Sequence, residues 1–209
     1  LAEIEYFVGD AEPALVVGRP EQRAELQAIA SGKCGGRVET LGSDGLGSLA
    51  ELADGASSEW TDVECGPADL ATLLYTSGTT GRSKGAMLSH GNLRANAEAL
   101  VETWRFTPDD VLIHALPIFH AHGLFVATNV TLVAGASMIF LPRFDPREVL
   151  GRMPEATVLM GVPTFYTRLL GQPDLTRDKA AGMRLFISGS APLLADTHHA
   201  FRARTGHAI

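Results

Sequence analysis

The run from Thr76 to Gly85, Thr-Ser-Gly-Thr-Thr-Gly-Arg-Ser-Lys-Gly, carries the strongest chemical signal in the chain. It holds three glycines, five hydroxyl side chains, two cations and no acid. Glycines let neighbouring backbone N–H groups converge on one anion, the hydroxyls add donors, and Lys84 adds charge. An apolar run ending at Tyr75 puts this loop at the C-terminal end of a strand, where open α/β sheets bind ligands. A plain Ser/Gly turn is the competing reading, and it leaves the joint choice of glycine, hydroxyl and cation unexplained. The P-loop pattern is excluded, because Ser83 rather than Gly precedes Lys84 and Gly85 rather than Ser or Thr follows it. A dinucleotide fingerprint is absent as well. Phosphate binding in some other nucleotide chemistry is therefore expected.

Three further places could do chemistry. His120 and His122 lie in Val111–Pro142, 32 residues without Asp, Glu, Lys or Arg. Two histidines at this spacing fall short of a metal site, and each could equally be a satisfied core residue. His114 reads as structural. Arg168 falls on the polar side of a helix whose apolar stripe is Val162, Phe165, Tyr166, Leu169 and Leu170, so by pattern alone it is an exposed arginine. Ser190 stands just before Pro192 and could cap a helix that begins there.

Short apolar runs alternating with amphipathic stretches predict an α/β architecture, with helices over both faces of parallel sheets. Strands are expected at Ala14–Val17, Val38–Leu41, Ala71–Tyr75, Val111–Ala115, Ser137–Leu141, Thr157–Met160 and Arg184–Ser188. Helices are expected at Glu21–Ala30, Asn92–Trp104, Asp145–Met153, Pro163–Leu170 and Pro192–Arg204. Gly42–Gly66, rich in Gly, Ser and acid, reads as a loosely ordered connection.

The whole chain has 209 residues, 45% hydrophobic and 20% charged, with a formal net charge of −7. That total excludes a basic nucleic-acid surface. Eight of the 24 carboxylates lie between Val38 and Gly81, a stretch without Lys or Arg, which leaves 17 basic and 16 acidic groups elsewhere. An anionic small molecule is thus admissible outside that stretch. Cys34 and Cys65 read as free thiols of a reducing cytoplasm. The uncharged segment is interrupted by Pro117, His120, His122, Gly123, Asn129 and Gly135, so it is expected to be buried interior rather than a membrane span.

Tyr75-Thr-Ser-Gly-Thr-Thr-Gly-Arg-Ser-Lys84-Gly85 resembles the phosphate-binding signature of the adenylate-forming enzymes, the acyl- and aryl-CoA ligases, luciferases and peptide-synthetase adenylation domains. The family usually has proline where Ser83 stands; the change removes rigidity but no donor or charge. Leu116-Pro-Ile-Phe-His120-Ala-His122-Gly-Leu124 is similar to its acyl-pocket segment, and Ser188-Gly-Ser190-Ala191-Pro192-Leu193 to its adenine-binding segment. The three motifs are in register across Ala68–Ile209. Within the family, Trp104–Asp110, Gly161–Tyr166 and Leu185–Leu193 resemble malonyl-CoA synthetases in particular.

The resemblance implies an ATP-dependent ligase that activates malonate, with methylmalonate tolerated, as an acyl-adenylate and transfers it to coenzyme A. It implies phosphate contacts from Thr76, Ser77, Gly78, Thr79, Thr80, Gly81 and Lys84, with Arg82 on the rim. Lys84 and His120 would be the catalytic pair, His120 gating between nucleotide and acyl pocket. Ser190, Ala191 and Pro192 would border the nucleotide, while His122, Arg168 and Ser190 would face the acid, Arg168 taking its second carboxylate. ATP, Mg2+ and coenzyme A are the implied cofactors, with no metal ligand in this part. The family's domains imply an N-terminal remnant at 1–66, a phosphate-loop and acyl-pocket part of the large N-terminal domain at 67–209, and a C-terminal lid domain absent from the chain. Such a piece is expected to be inactive alone and prone to self-association, with its partners being the small molecules and its own missing C-terminal part, and neither nucleic acid nor membrane. The alternatives are another short-chain acyl-CoA synthetase and a non-catalytic nucleotide-binding module.

Overall fold

The computed structural model describes residues 2–76 and 83–209, which form two compact units, Leu1–Glu64 and Cys65–Ile209. In the first, α1 (Ala2–Ala11) precedes β1 (Leu15–Gly18), a 3-10 turn, α2 (Arg23–Lys33), β2 (Arg37–Thr40) and α3 (Ser48–Asp54). The two strands pair in parallel, with Val16 opposite Val38. Helix α2 covers them by burying Leu26 and Ala30 against Val38. Gly18 is required by that crossing, since a Cβ there would lie 2.1 Å from Leu26 Cδ1.

Helix α3 corrects the loose connection expected over Gly42–Gly66. None of its residues is buried, and it is anchored by polar bonds instead. Ser48 donates to the buried Glu39 carboxylate at 2.5 Å and accepts from the Thr40 N–H at 3.0 Å. The Ser48 hydroxyl, opposed by burial and aided by Arg37, holds the Glu39 carboxyl below its ordinary range.

The second unit opens with a hairpin, β3 (Leu70–Thr76) and β4 (Lys84–Ser89), whose register pairs Thr76 with Lys84 and Tyr75 with Gly85. Strand β4 was not expected from its sequence, because Lys-Gly-Ala-Met has little β propensity and exists as a strand through pairing with β3. Helix α4 (His90–Trp104) follows at once, capped by Ser89, whose side chain accepts from the Asn92 N–H at 3.1 Å while Asn92 returns the bond.

Four parallel strands in the order β6-β5-β7-β8 then form the main sheet: β5 (Val111–His114), β6 (Ser137–Phe140), β7 (Val158–Gly161) and β8 (Leu185–Ser188). A π-helix (His122–Thr128), α5 (Asn129–Val133), α6 (Pro146–Arg152), α7 (Pro163–Leu170) and α8 (Ala195–Thr205) connect or follow them. Leu112, Ile113, Val158, Leu159 and Met160 are fully buried in the sheet. Tyr166 of α7 meets Phe201 of α8 edge to face at 5.4 Å, and its hydroxyl donates to the Ile187 carbonyl at 2.5 Å. Burial pushes that phenol's pKa up. Among the described residues no helix is long and apolar enough to cross a membrane, and both cysteines are free.

Two further expectations are corrected. Helix α8 begins at Ala195, with Leu194 at its N-cap, so Ser190 caps nothing. The uncharged segment is interior only in part: Ile118 and Phe119 are 49% and 77% exposed, because the stretch after β5 leaves the core to form a cavity wall.

The starts of the strands are tied by one carboxylate. Asp110, 2% exposed and just before β5, accepts from Thr157 at 2.7 Å and from Arg184 at 2.6 and 2.5 Å. Thr157 and Arg184 stand just before β7 and β8. Burial alone would raise the Asp110 pKa; the Arg184 guanidinium and the Thr107 and Thr157 donors outweigh it and hold the carboxyl at about 2, against an ordinary 3.8. A depressed carboxyl stabilises the fold fully above its unfolded value and loses that contribution as pH falls through its folded value. Urea titrations should therefore show about 2 kcal/mol of stability lost between pH ~4 and pH ~2. Asp110→Ala should cost ~3 kcal/mol at neutral pH, by leaving Arg184 unpaired, and should remove that acid limb. An identical acid limb in wild type and variant contradicts the clamp.

Candidate active site

Because β5 to β8 run in one direction, their C-terminal ends share one edge of the sheet. Each emits a functional segment there: residues 115–123 after β5, 141–145 after β6, Val162 after β7 and 189–192 after β8. The end of the β3–β4 hairpin faces the same region, where Leu74, Tyr75 and Thr76 line a cavity with the segment after β5.

His114, the last residue of β5, fixes the first of these segments. It is fully buried, with Nε2 2.9 Å from the Gly123 carbonyl oxygen and 3.2 Å from the Thr128 hydroxyl. A carbonyl only accepts, so Nε2 is the protonated nitrogen of this ring. Thr128 donates to the same carbonyl at 2.9 Å. The π-helix is thereby pinned to the strand end. Gly123 permits the fold-back: a Cβ there would sit 2.2 Å from the Pro117 carbonyl oxygen.

The pinned segment separates two cavities. The first, about 460 Å³, is lined by Thr76, Tyr75, His120, His122 and Ser190. The second, about 720 Å³, is lined by Phe140, Arg143, Phe144, Phe165 and Arg168. His120 and Val162 border both. His120 is exposed and its ring lies 4.5 Å from that of Phe119. His122 is half-buried, and its Nδ1 lies 3.1 Å from the Ser190 hydroxyl oxygen, joining the ends of β5 and β8. Ser190 holds a left-handed φ of 67°, which needs support in a non-glycine residue, and this contact supplies some. Gly189 lets the imidazole approach, since a Cβ there would be 3.0 Å from His122 Cε1. Burial, with a smaller contribution from His114, lowers the His122 pKa below its ordinary 6.5.

The expected site residues are thus distributed as follows. Thr76, His120, His122 and Ser190 border one cavity, and Arg168 reaches the adjoining one. Lys84 is opposite Thr76 in the ladder and shares its face of the hairpin. Ala191 and Pro192 are exposed and line neither cavity. Ser77, Gly78, Thr79, Thr80, Gly81 and Arg82 lie outside the described residues. Among the described residues no three His, Cys, Asp or Glu side chains gather to hold a metal ion. Sequence reasoning missed Val162, which the proline that opens α7 and the strand before it could have located, and Phe144, for which no local signal existed.

A profile of the AMP-binding enzymes matches residues 1–209. The chain belongs to this family. The mitochondrial malonate–CoA ligase ACSF3 of Mus musculus is 35% identical over 228 aligned residues, covering 100% of this chain and 38% of that protein. A feruloyl-CoA synthase of an Amycolatopsis species is 34% identical, covering 93% and 38%. Among solved structures, ATP-bound MatB from Rhodopseudomonas palustris superposes with a TM-score of 0.95 at 64% identity, covering 100% of this chain and 41% of that one. The chain therefore spans about two fifths of the length of the relatives it matches.

A lowered histidine pKa means that the neutral ring stabilises the fold above pH 6.5, a contribution lost as pH falls through the folded value. In an NMR titration of the full protein, His122 should be more than half neutral at pH 6.5 and reach its midpoint below that value. A His122 titration at or above 6.5 contradicts the burial described.

Proposed function

We propose that this protein is an ATP-dependent acid–thiol ligase acting on malonate. In the first step a malonate carboxylate oxygen attacks the α-phosphorus of ATP, carried as its magnesium complex; the bond to pyrophosphate breaks and malonyl-adenylate forms. In the second, the thiol of coenzyme A attacks the acyl carbonyl, loses its proton, and AMP departs with the bonding pair. Such chemistry asks the protein to position reactants and balance charge rather than to supply a nucleophile.

In this reading Thr76, Lys84 and the connection between them hold the departing phosphates, and Ser190, Ala191 and Pro192 border the nucleotide. His120 stands between nucleotide and acid, and His122 helps line the acid's approach. Arg168 takes the carboxylate that does not react. The observation that carries the assignment is the placement of Arg168 at a largely apolar cavity, which Arg143 and His120 also line, adjoining the one at the hairpin end. A second carboxylate entering such a space unpaired is costly, and a guanidinium offsets that cost with paired hydrogen bonds. The 64% identity to MatB and the 35% identity to a malonate–CoA ligase support the same class. Methylmalonate is included, because one methyl group changes discrimination by only ~1–3 kcal/mol.

The aromatic lining of the second cavity, Phe119, Phe140, Phe144 and Phe165, and the feruloyl-CoA synthase among the relatives favour one rival, an aryl or short monocarboxylic acid. Arg168 separates the two. With the full protein, malonate-dependent ATP–pyrophosphate exchange should fall about 10- to 100-fold in Arg168→Ala. Exchange with acetate or butyrate, at whatever level the wild type shows, should not fall with it. Malonate exchange that survives in the variant overturns the assignment.

A further inference from the structure

Of the two arginines at the second cavity, Arg143 and Arg168, the latter lies over an aromatic ring rather than against an acid. Phe144, in the segment joining β6 to α6, stacks on Phe165 of α7 with centroids 3.7 Å apart and planes 14° from parallel. The guanidinium carbon of Arg168, one turn further along α7, lies 4.8 Å from the centroid of the Phe144 ring. Phe165 is itself fixed, 8% exposed and pressed against the end of β7, where a Cβ on Gly161 would come within 2.9 Å of its Cδ2. A continuous set of contacts thus runs from the sheet to the guanidinium.

No acid forms an ion pair with that cation among the described residues, although Asp145 is near enough to feel its charge. Asp145, the carboxylate adjacent in sequence, accepts the N–H groups of Arg147 and Glu148 at 2.9 and 3.1 Å as the cap of α6. Those bonds, then burial and the Arg147 and Arg168 charges, set its carboxyl, with a net lowering of its pKa. Among the described residues Arg168 forms no ion pair. The difference matters chemically. A carboxylate partner would occupy the N–H edge of the guanidinium and an incoming acid would have to displace it. A ring attracts the cation through its π-face and leaves the N–H donors unpaired.

Resting on the reading of Arg168 as the ligand of the non-reacting carboxylate, we propose that Phe144 is a specificity-determining positioning residue: braced on Phe165, its ring presents the Arg168 guanidinium to a dicarboxylate without neutralising it. Phe144 touches neither reacting centre; it acts through Arg168. The construction favours acids with a second anionic group and gives nothing to a plain monocarboxylate.

The test is thioester formation by the full protein with malonate and ATP varied separately. In Phe144→Leu the KM for malonate should rise about tenfold, with kcat falling less than KM rises and the KM for ATP unmoved. Phe144→Tyr, which keeps the π-face, should restore the wild-type KM. Phe144→Met, which is about the size of leucine but unbranched and able to flex into the gap the ring leaves, should behave like Phe144→Leu and serves in its place if the branched side chain prevents folding. A wild-type KM in the Leu or Met variant, with malonate use lost in Arg168→Ala, overturns the role of Phe144 and leaves that of Arg168 intact. Equal rises in both KM values, or no rescue by Tyr, overturn it too, as signs of packing alone. A wild-type protein that does not use malonate overturns the underlying reading of Arg168 instead.

Discussion

Parallel strands that begin together must end together, and in this molecule the beginnings are tied by a single buried carboxylate. Asp110 accepts from Thr157 and Arg184, the residues that precede β7 and β8, while itself preceding β5. The register this enforces delivers the ends of β5, β7 and β8 to one edge, with β6 aligned by its own pairing to β5. Every group assigned a ligand-binding role in the segments beyond the main-sheet strands lies no more than eight residues past such an end. Stability and chemistry are thus segregated: the charge-rich tie sits at one edge of the sheet and the ligand-bearing segments at the other, as expected where helices flank parallel strands.

The ligand-bearing edge relies on polar contacts that restrict rather than neutralise. His114 pins the π-helix through Gly123 and Thr128, His122 meets Ser190, and Phe144 steadies Arg168. None of these puts an acid against a functional cation. A cavity wall that is mostly apolar and carries two guanidinium groups, Arg143 and Arg168, with no ion pair to either among the described residues, favours an anion. On the proposed reading, a monocarboxylate would gain nothing from these cations, and specificity would follow from where charge has been left unmatched.

Local signals reported the framework better than the site. The seven expected strands occur with ends shifted by a residue; the apolar runs of β5 and β7 are buried in the parallel sheet, while β1 and the antiparallel β3 stay partly exposed. Strand β4 and helix α3 were missed because pairing with β3 and the Glu39–Ser48 bond, rather than propensity, hold them in place. Thr76 and Lys84 stand out by residue type, and the structure pairs them across the hairpin with Thr76 at a cavity. The roles around them were not legible. His122 and Ser190 are separated by 68 residues, and nothing local links them. The pattern correctly set Arg168 off the apolar stripe of α7 but could not show that this side meets Phe144 at a cavity.

The measurement that bears most directly on the account is a crystal structure of the full protein with ATP and malonate. The account predicts one malonate carboxylate within ~3 Å of two Arg168 nitrogens, the other directed past His120 toward the α-phosphate, and the outer phosphates at the Thr76–Lys84 end of the hairpin. Malonate bound away from Arg168, or an Arg168 side chain turned from the Phe144 ring into solvent while the acid is in place, would contradict it.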